Sequence, residues 1–131
     1  MLDDATRGMV SVWIGVTAKT LDEFNAYTKD MERLDSGSPI QRDFQSGFID
    51  SDWFVAYGTA GGRIVPVEEI CKEVDCSLAT EKRIVERCHA LGVREANALY
   101  YYVNCTFTEE RPGMLYNDLR FIGSFDDDAL E

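Results

Sequence analysis

Apolar positions along this chain recur with two different periods, and the places where the period changes mark its elements. Residues 9–16 alternate, with Val10, Val12, Ile14 and Val16 on one face and Met9, Ser11, Trp13 and Gly15 on the other. Both faces are mostly apolar, which predicts a strand covered on both sides. Thr20-Leu21-Asp22-Glu23 has the spacing of a capping box, in which Thr20 and Glu23 satisfy orphan amides reciprocally. The helix it opens carries Leu21, Phe24, Tyr27, Met31 and Leu34 at intervals of three and four. Ser36-Gly37 stops it, and Ser38-Pro39 opens a short second helix on Ile40, Phe44 and Phe48, with Gly47 at its end. Trp53 to Tyr57 is of aromatic and β-branched type and reads as a strand.

Pro66 fits the start of a third helix bearing Val67, Ile70, Cys71 and Val74. Thr80 is the expected N-cap of a fourth, which runs on Ile84, Cys88 and Leu91 and is closed by a left-handed Gly92. Residues 96–107 form the longest strand candidate. One face would hold Ala98, Tyr100, Tyr102 and Asn104, and the other Leu99, Tyr101, Val103, Cys105 and Phe107. Glu110-Arg111-Pro112-Gly113 suits a type II turn. The chain then returns through Met114 to Phe125, antiparallel to the preceding strand as a C-terminal β-hairpin. Its Phe121-Ile122-Gly123-Ser124-Phe125 block matches Val10-Ser11-Val12-Trp13-Ile14-Gly15 as a second buried strand. The order β-α-α-β-α-α-β-β predicts a single α+β domain, helices packed against a sheet of about four strands. Residues 1–8 and 126–131 are expected to be flexible ends, with Asp126-Asp127-Asp128 a solvated acidic tail.

Composition narrows the function. At 131 residues, 45% of them hydrophobic, the chain fits one globular domain. No apolar run approaches the roughly 20 residues of a membrane span. Met1-Leu2-Asp3-Asp4 is acidic where a signal peptide is basic, so a cytoplasmic protein is expected. The net charge of −11, from 24 acids against 13 bases, repels a phosphate backbone and argues against direct nucleic-acid binding. The same field attracts a basic partner.

Side chains able to do chemistry are present but not arranged for it. Cys71, Cys76, Cys88 and Cys105 lack the paired knuckle spacing of a zinc site, and read as small core residues. His89 adjoins Cys88, but neighbouring helical residues diverge by about 100° and cannot form a dyad. A surface histidine pairing with Glu86 or another nearby acid is the simpler reading. Asp50-Ser51-Asp52 lacks the glycine and the distal glutamate of a calcium loop. Gly58-Thr59-Ala60-Gly61-Gly62-Arg63 leads into Ile64-Val65-Pro66 rather than a helix, which makes it a flexible connector rather than a phosphate cradle. No catalytic, cofactor or metal residue is assigned. Interfaces favour aromatic and arginine anchors. Asp50, Asp52 and Trp53, with Glu109 and Glu110, are therefore the candidate contacts for a basic partner.

Taken in order, several blocks carry a resemblance to a known family. They are Val12-Trp13-Ile14-Gly15, Leu21-Asp22-Glu23-Phe24, Asp43-Phe44, Ile49-Asp50-Ser51-Asp52-Trp53-Phe54, Asn97-Ala98-Leu99-Tyr100-Tyr101-Tyr102 and Phe121-Ile122-Gly123-Ser124-Phe125. Together they span nearly the whole chain, and in that order they resemble the bacterial polymorphic-toxin family immunity protein 22. The resemblance implies one immunity-protein domain over residues 1–131, a cytoplasmic protein that shields its producer by binding a cognate toxin directly. It implies no enzymatic activity and no cofactor, and it specifies no contact residue. Charge adds the expectation of a basic nuclease as the toxin. The alternatives from other classes are a small ligand-binding domain or enzyme with a pocket beside Gly58–Gly62, and a structural subunit pairing with itself.

Overall fold

A computed structural model describes residues 1–127. In chain order its strands and helices are β1 (Leu2–Asp3), β2 (Met9–Gly15), α1 (Leu21–Ala26), α2 (Pro39–Phe44), β3 (Phe54–Gly58), β4 (Val65–Pro66), α3 (Val67–Ile70), α4 (Leu78–Ala90), β5 (Glu95–Ala96), β6 (Ala98–Val103), β7 (Thr106–Phe107), β8 (Leu115–Tyr116) and β9 (Leu119–Asp126). The fold is α+β, but its main sheet has five strands rather than four, ordered β3-β6-β2-β9-β8 and antiparallel throughout. Two small ladders, β1-β7 and β4-β5, flank it.

β2 lies at the centre, and its alternation fills both faces. Val10, Val12 and Ile14 enter a core with Ile70, Cys71, Ile84 and Cys88 under α3 and α4. Trp13 enters the opposite core, an aromatic layer of Phe24, Tyr27, Phe44, Phe54, Tyr100 and Tyr102 beneath α1 and α2. Buried Ser11 is satisfied by a relay set by donor count. Phe107 N–H donates to Ser124 Oγ, the Ser124 hydroxyl to Ser11 Oγ, and the Ser11 hydroxyl to the Cys105 carbonyl.

The returning strand β9 does not pair with β6. Its neighbours are β2 and β8, and the C-terminal hairpin is β8-β9, turning through Asn117 and Asp118 at φ 53° and 72°. Two positive φ values in succession are the signature of a type I′ hairpin. Gly15 lets this turn close against β2, since a Cβ there would sit 2.8 Å from the Asp118 carbonyl oxygen.

Alternation along residues 96–107 fails at one residue. Asn104 adopts φ 59°, and its amide donates to the Met9 carbonyl while its side chain accepts from Gly8 N–H. That left-handed step flips the parity. Cys105 and Phe107 join the aromatic layer with Tyr100 and Tyr102, not the face of Leu99, Tyr101 and Val103.

The capping box forms as expected, with Thr20 and Glu23 bonded in both directions. The helix it opens is far shorter than the apolar spacing suggests. Leu21 is 73% and Leu34 72% exposed, and residues 27–35 form turns with Asp30 and Asp35 at positive φ. Gln41 explains the break, because its buried side-chain amide donates to the carbonyls of Met31 and Arg33 and holds that loop irregular. α2 stops at Gln45, in the left-handed region at φ 54°, which leaves Phe48 outside it. α4 is capped by Ser77, not Thr80, and Thr80 is buried within its first turn.

Residues 1–8 are not a free end, because β1 pairs with β7 and the Met1 ammonium donates to the Thr108 carbonyl. Nor is the start of the acidic tail simply solvated. Asp126 ends β9 and pairs with Arg83 at 2.9 Å. Asp127 is buried and accepts from Ser77 N–H and the Thr80 hydroxyl. The remainder of the expected tail, 128–131, lies outside the described residues.

Candidate partner-binding site

The segment that follows α2 is shaped by a few anchors. Ile49 is fully buried and its N–H donates to the Met31 carbonyl. Asp50 N–H donates to the Tyr102 hydroxyl. The Asp50 carboxylate accepts from Asp52 N–H at 2.9 Å, and the Asp50 carbonyl accepts from Trp53 and Phe54 N–H. An aspartate closing a turn onto its own following backbone is a local preference of that residue. With Ile49 and Phe54 buried at either end, the turn presents Ser51, Asp52 and Trp53 to solvent, and Trp53 is 47% exposed. Glu32 joins the group by accepting from Ser51 N–H. Among the described residues no ion pair neutralises Asp50, Asp52 or Glu32.

Glu109 and Glu110 sit elsewhere and in a different environment. Glu109 is half-buried beside Tyr116, whose hydroxyl donates to it at 3.4 Å, and burial pushes its carboxyl above the usual range. Burial likewise pushes the Tyr116 phenol up to about 12. Glu110 lines a cavity of about 70 Å³ with Arg42, Arg111 and Tyr116. Both carboxylates act on the nearby Met1 ammonium. No hydrogen bond or ion pair joins this pair to the Asp50 turn among the described residues. The five candidates therefore form two groups, and the uncompensated negative charge and the exposed aromatic belong to the first.

The other side chains considered for chemistry have structural settings. His89 bonds Glu68 at 3.0 Å rather than Glu86, and this holds the Glu68 carboxyl below its usual range. Cys71, Cys88 and Cys105 are buried and all four cysteines are free. Among the described residues no group of three His, Cys, Asp or Glu is placed to hold a metal ion, and no helix is long and apolar enough to cross a membrane. The glycine-rich stretch forms a 3₁₀ turn over Ala60–Gly62 and borders an open groove of about 510 Å³. Lys19 and Asn97 line the groove, but no carboxylate does. Lys19 is already engaged by Asn117 at 2.5 Å, and Asn97 bonds Thr17 through both its oxygen and its nitrogen.

Two functional features escaped the sequence reading. Glu32 falls inside the stretch expected to be the first helix, but α1 ends at Ala26 and leaves it in the loop that follows. The outward-facing edge of β3 depends on strand order, which no local pattern encodes.

The site is thus an acidic, exposed turn carrying Trp53 at the end of β3. The chain belongs to the family Immunity protein 22, whose model matches residues 10–128. That family's description is of immunity proteins, which suggests a toxin-neutralising, non-enzymatic role with a toxin as the protein partner. No curated protein and no solved structure matches the chain.

Proposed function

We propose that this protein neutralises a cognate bacterial toxin domain in the cytoplasm by forming a direct complex, without chemistry of its own, and that the toxin is a basic nuclease. Family membership over residues 10–128 is the observation that carries the first half. The second half rests on the net charge of −11 and on Asp50 and Asp52 beside Trp53, which no ion pair neutralises among the described residues. A field of that sign speeds capture of a cationic partner and is weakened by salt. Trp53, in the same turn as Asp50 and Asp52, supplies an aromatic anchor of the kind that dominates interfaces.

The test is co-expression with the toxin domain encoded beside this protein, followed by titration calorimetry of the purified pair. Growth rescue with a stoichiometric complex whose affinity falls with salt supports both halves. Rescue with a salt-insensitive complex removes the electrostatic half, and neither rescue nor binding removes the whole reading. The groove of about 510 Å³ beside Gly58–Gly62 favours a second reading, a small-ligand site. A thermal-shift screen that finds no stabilising small molecule removes it.

A further inference from the structure

β3 is an edge of the main sheet, and among the described residues only β6 pairs with it. Its register decides which backbone groups face outward. Val103 N–H donates to the Trp53 carbonyl and Thr59 N–H to the Asn97 carbonyl, each at 3.0 Å. Residues of an antiparallel strand alternate between bonding the neighbour and pointing both groups away from it. Trp53, Val55, Tyr57 and Thr59 therefore bond toward β6, while Phe54, Ala56 and Gly58 turn outward. Phe54 N–H folds back to the Asp50 carbonyl. Ala56 and Gly58 are exposed, and their outward N–H and C=O groups meet no other strand among the described residues.

Proteins normally blunt such an edge with a charged side chain, a proline, a bulge or a covering element. Phe54-Val55-Ala56-Tyr57-Gly58 has no charge and no proline, and its pairing with β6 runs without a register shift. The side chains on one face of this edge are an apolar row. Trp53 is 47% and Val55 36% exposed, followed by the half-buried Tyr57. Acids bracket the row. Asp50 and Asp52 stand at its start, and Glu69 and Glu73 line a cleft with Tyr57 further along. Arg63, which also lines that cleft, pairs with Glu69 at 3.7 Å.

We propose that β3 docks an extended segment of the toxin, which adds to the sheet as a sixth strand with basic side chains at alternate positions. The inference rests on the toxin-binding reading above and specifies its mode. Main-chain hydrogen bonds to Ala56 and Gly58 supply affinity, and the row beginning at Trp53 with its acidic borders supplies specificity. The rival occupant is a second copy of this chain. Charge disfavours it, because two copies of this edge would bring together the acids that border the row, Asp50 and Asp52 at one end and Glu69 and Glu73 at the other.

Ala56→Pro tests this directly. The substitution deletes an N–H that the fold does not use, which an edge strand tolerates, and its ring obstructs an incoming strand. Calorimetry against the neighbouring toxin domain is expected to show binding weakened about ten- to a hundredfold, with the thermal midpoint of the free protein unchanged. Hydrogen exchange on the wild-type complex gives a readout that does not depend on the variant folding: the Ala56 and Gly58 amides should exchange more slowly than in the free protein. Unchanged affinity of a folded Ala56→Pro protein, or unprotected amides in the complex, overturns strand docking and leaves toxin binding intact. A wild-type dimer that Ala56→Pro dissociates assigns the edge to a second copy and overturns it as well. No wild-type binding at all overturns the parent reading and this inference with it.

Discussion

Phe44 and Phe48 lie four residues apart on one apparent apolar stripe, and the structure predicts opposite consequences for losing them. Phe44 is fully buried and stacks on Trp13 at 4.7 Å, with Phe107, Tyr116 and Phe54 at 5.1, 5.8 and 6.4 Å. With Ile40 it seats α2 on the sheet. Truncating such a ring to alanine removes its burial and leaves a cavity, a combined cost of about 3–5 kcal/mol. The neighbours are rings rather than flexible aliphatic chains, so the site collapses poorly and the upper part of that range applies, about 4 kcal/mol. Phe48, 38% exposed and outside α2, should cost no more than about 1 kcal/mol. Urea unfolding followed by tryptophan fluorescence is the assay, since Trp13 reports on the Phe44 contact. With a urea slope of about 2 kcal/mol/M, Phe44→Ala should move the midpoint down by about 2 M and Phe48→Ala by about 0.5 M or less. Equal shifts for the two variants, or a Phe44→Ala shift below about 0.5 M, would refute the packing argument.

Three further outcomes follow from particular groups. Asn104→Ala should cost about 2 kcal/mol, from left-handed backbone and the lost acceptor for Gly8 N–H, and Asn104→Gly about 1 kcal/mol less, measured by thermal unfolding. Because burial raises the Glu109 carboxyl above its ordinary 4.5, the folded state holds that proton more tightly than the unfolded chain. Ionised Glu109 thus lowers stability above its raised pKa, and the penalty vanishes below the ordinary value. Glu109→Gln should be slightly more stable than wild type at pH 7 and indistinguishable near pH 4, as denaturation at the two pH values will show. Burial pushes the Cys76 thiol up to about 11 and Cys105 up to about 12, while a hydrogen bond with Cys88 together with burial raises Cys71 further. A thiol reagent at pH 7.5 should label the native protein slowly, the partly exposed Cys76 first, and all four cysteines quickly in urea. Rapid labelling of native Cys105 would contradict the buried placement.

What could be read from the sequence was whatever a few adjacent residues decide. The Thr20–Glu23 capping box, the Ser38-Pro39 helix start and the Gly92 stop depend only on neighbours, and each is found in place. The two-faced burial of β2 was legible because both sets of alternating positions are apolar. The long first helix was misread because spacing alone cannot register that Gln41 takes up the Met31 and Arg33 carbonyls. Asn104 was likewise an ordinary strand residue until its φ reversed the faces of Cys105 and Phe107. At the candidate site, the Asp50 turn is local and could be anticipated. Separating Asp50 from Glu109 required knowing that the latter packs on Tyr116 and lies near the Met1 ammonium, contacts made by distant parts of the chain.

The central place of β2 also fixes when the molecule can fold. Residues 9–15 emerge early in synthesis, but their partners are residues 98–103 and 119–126. The β2–β6 ladder must wait for residue 103 and the β2–β9 ladder for Asp126, so the central sheet is complete only when almost all of the chain has been made. Sheets dominated by such distant pairings close slowly compared with helical domains. Until then Val10, Val12, Trp13 and Ile14 lack part of the chain that buries them, and transiently exposed apolar surface of this kind is prone to aggregate. At about 5–20 residues per second, synthesis of a chain of 131 residues takes longer than the milliseconds to seconds in which such sheets close, so arrival of the last strand rather than closure of the sheet sets the length of that interval.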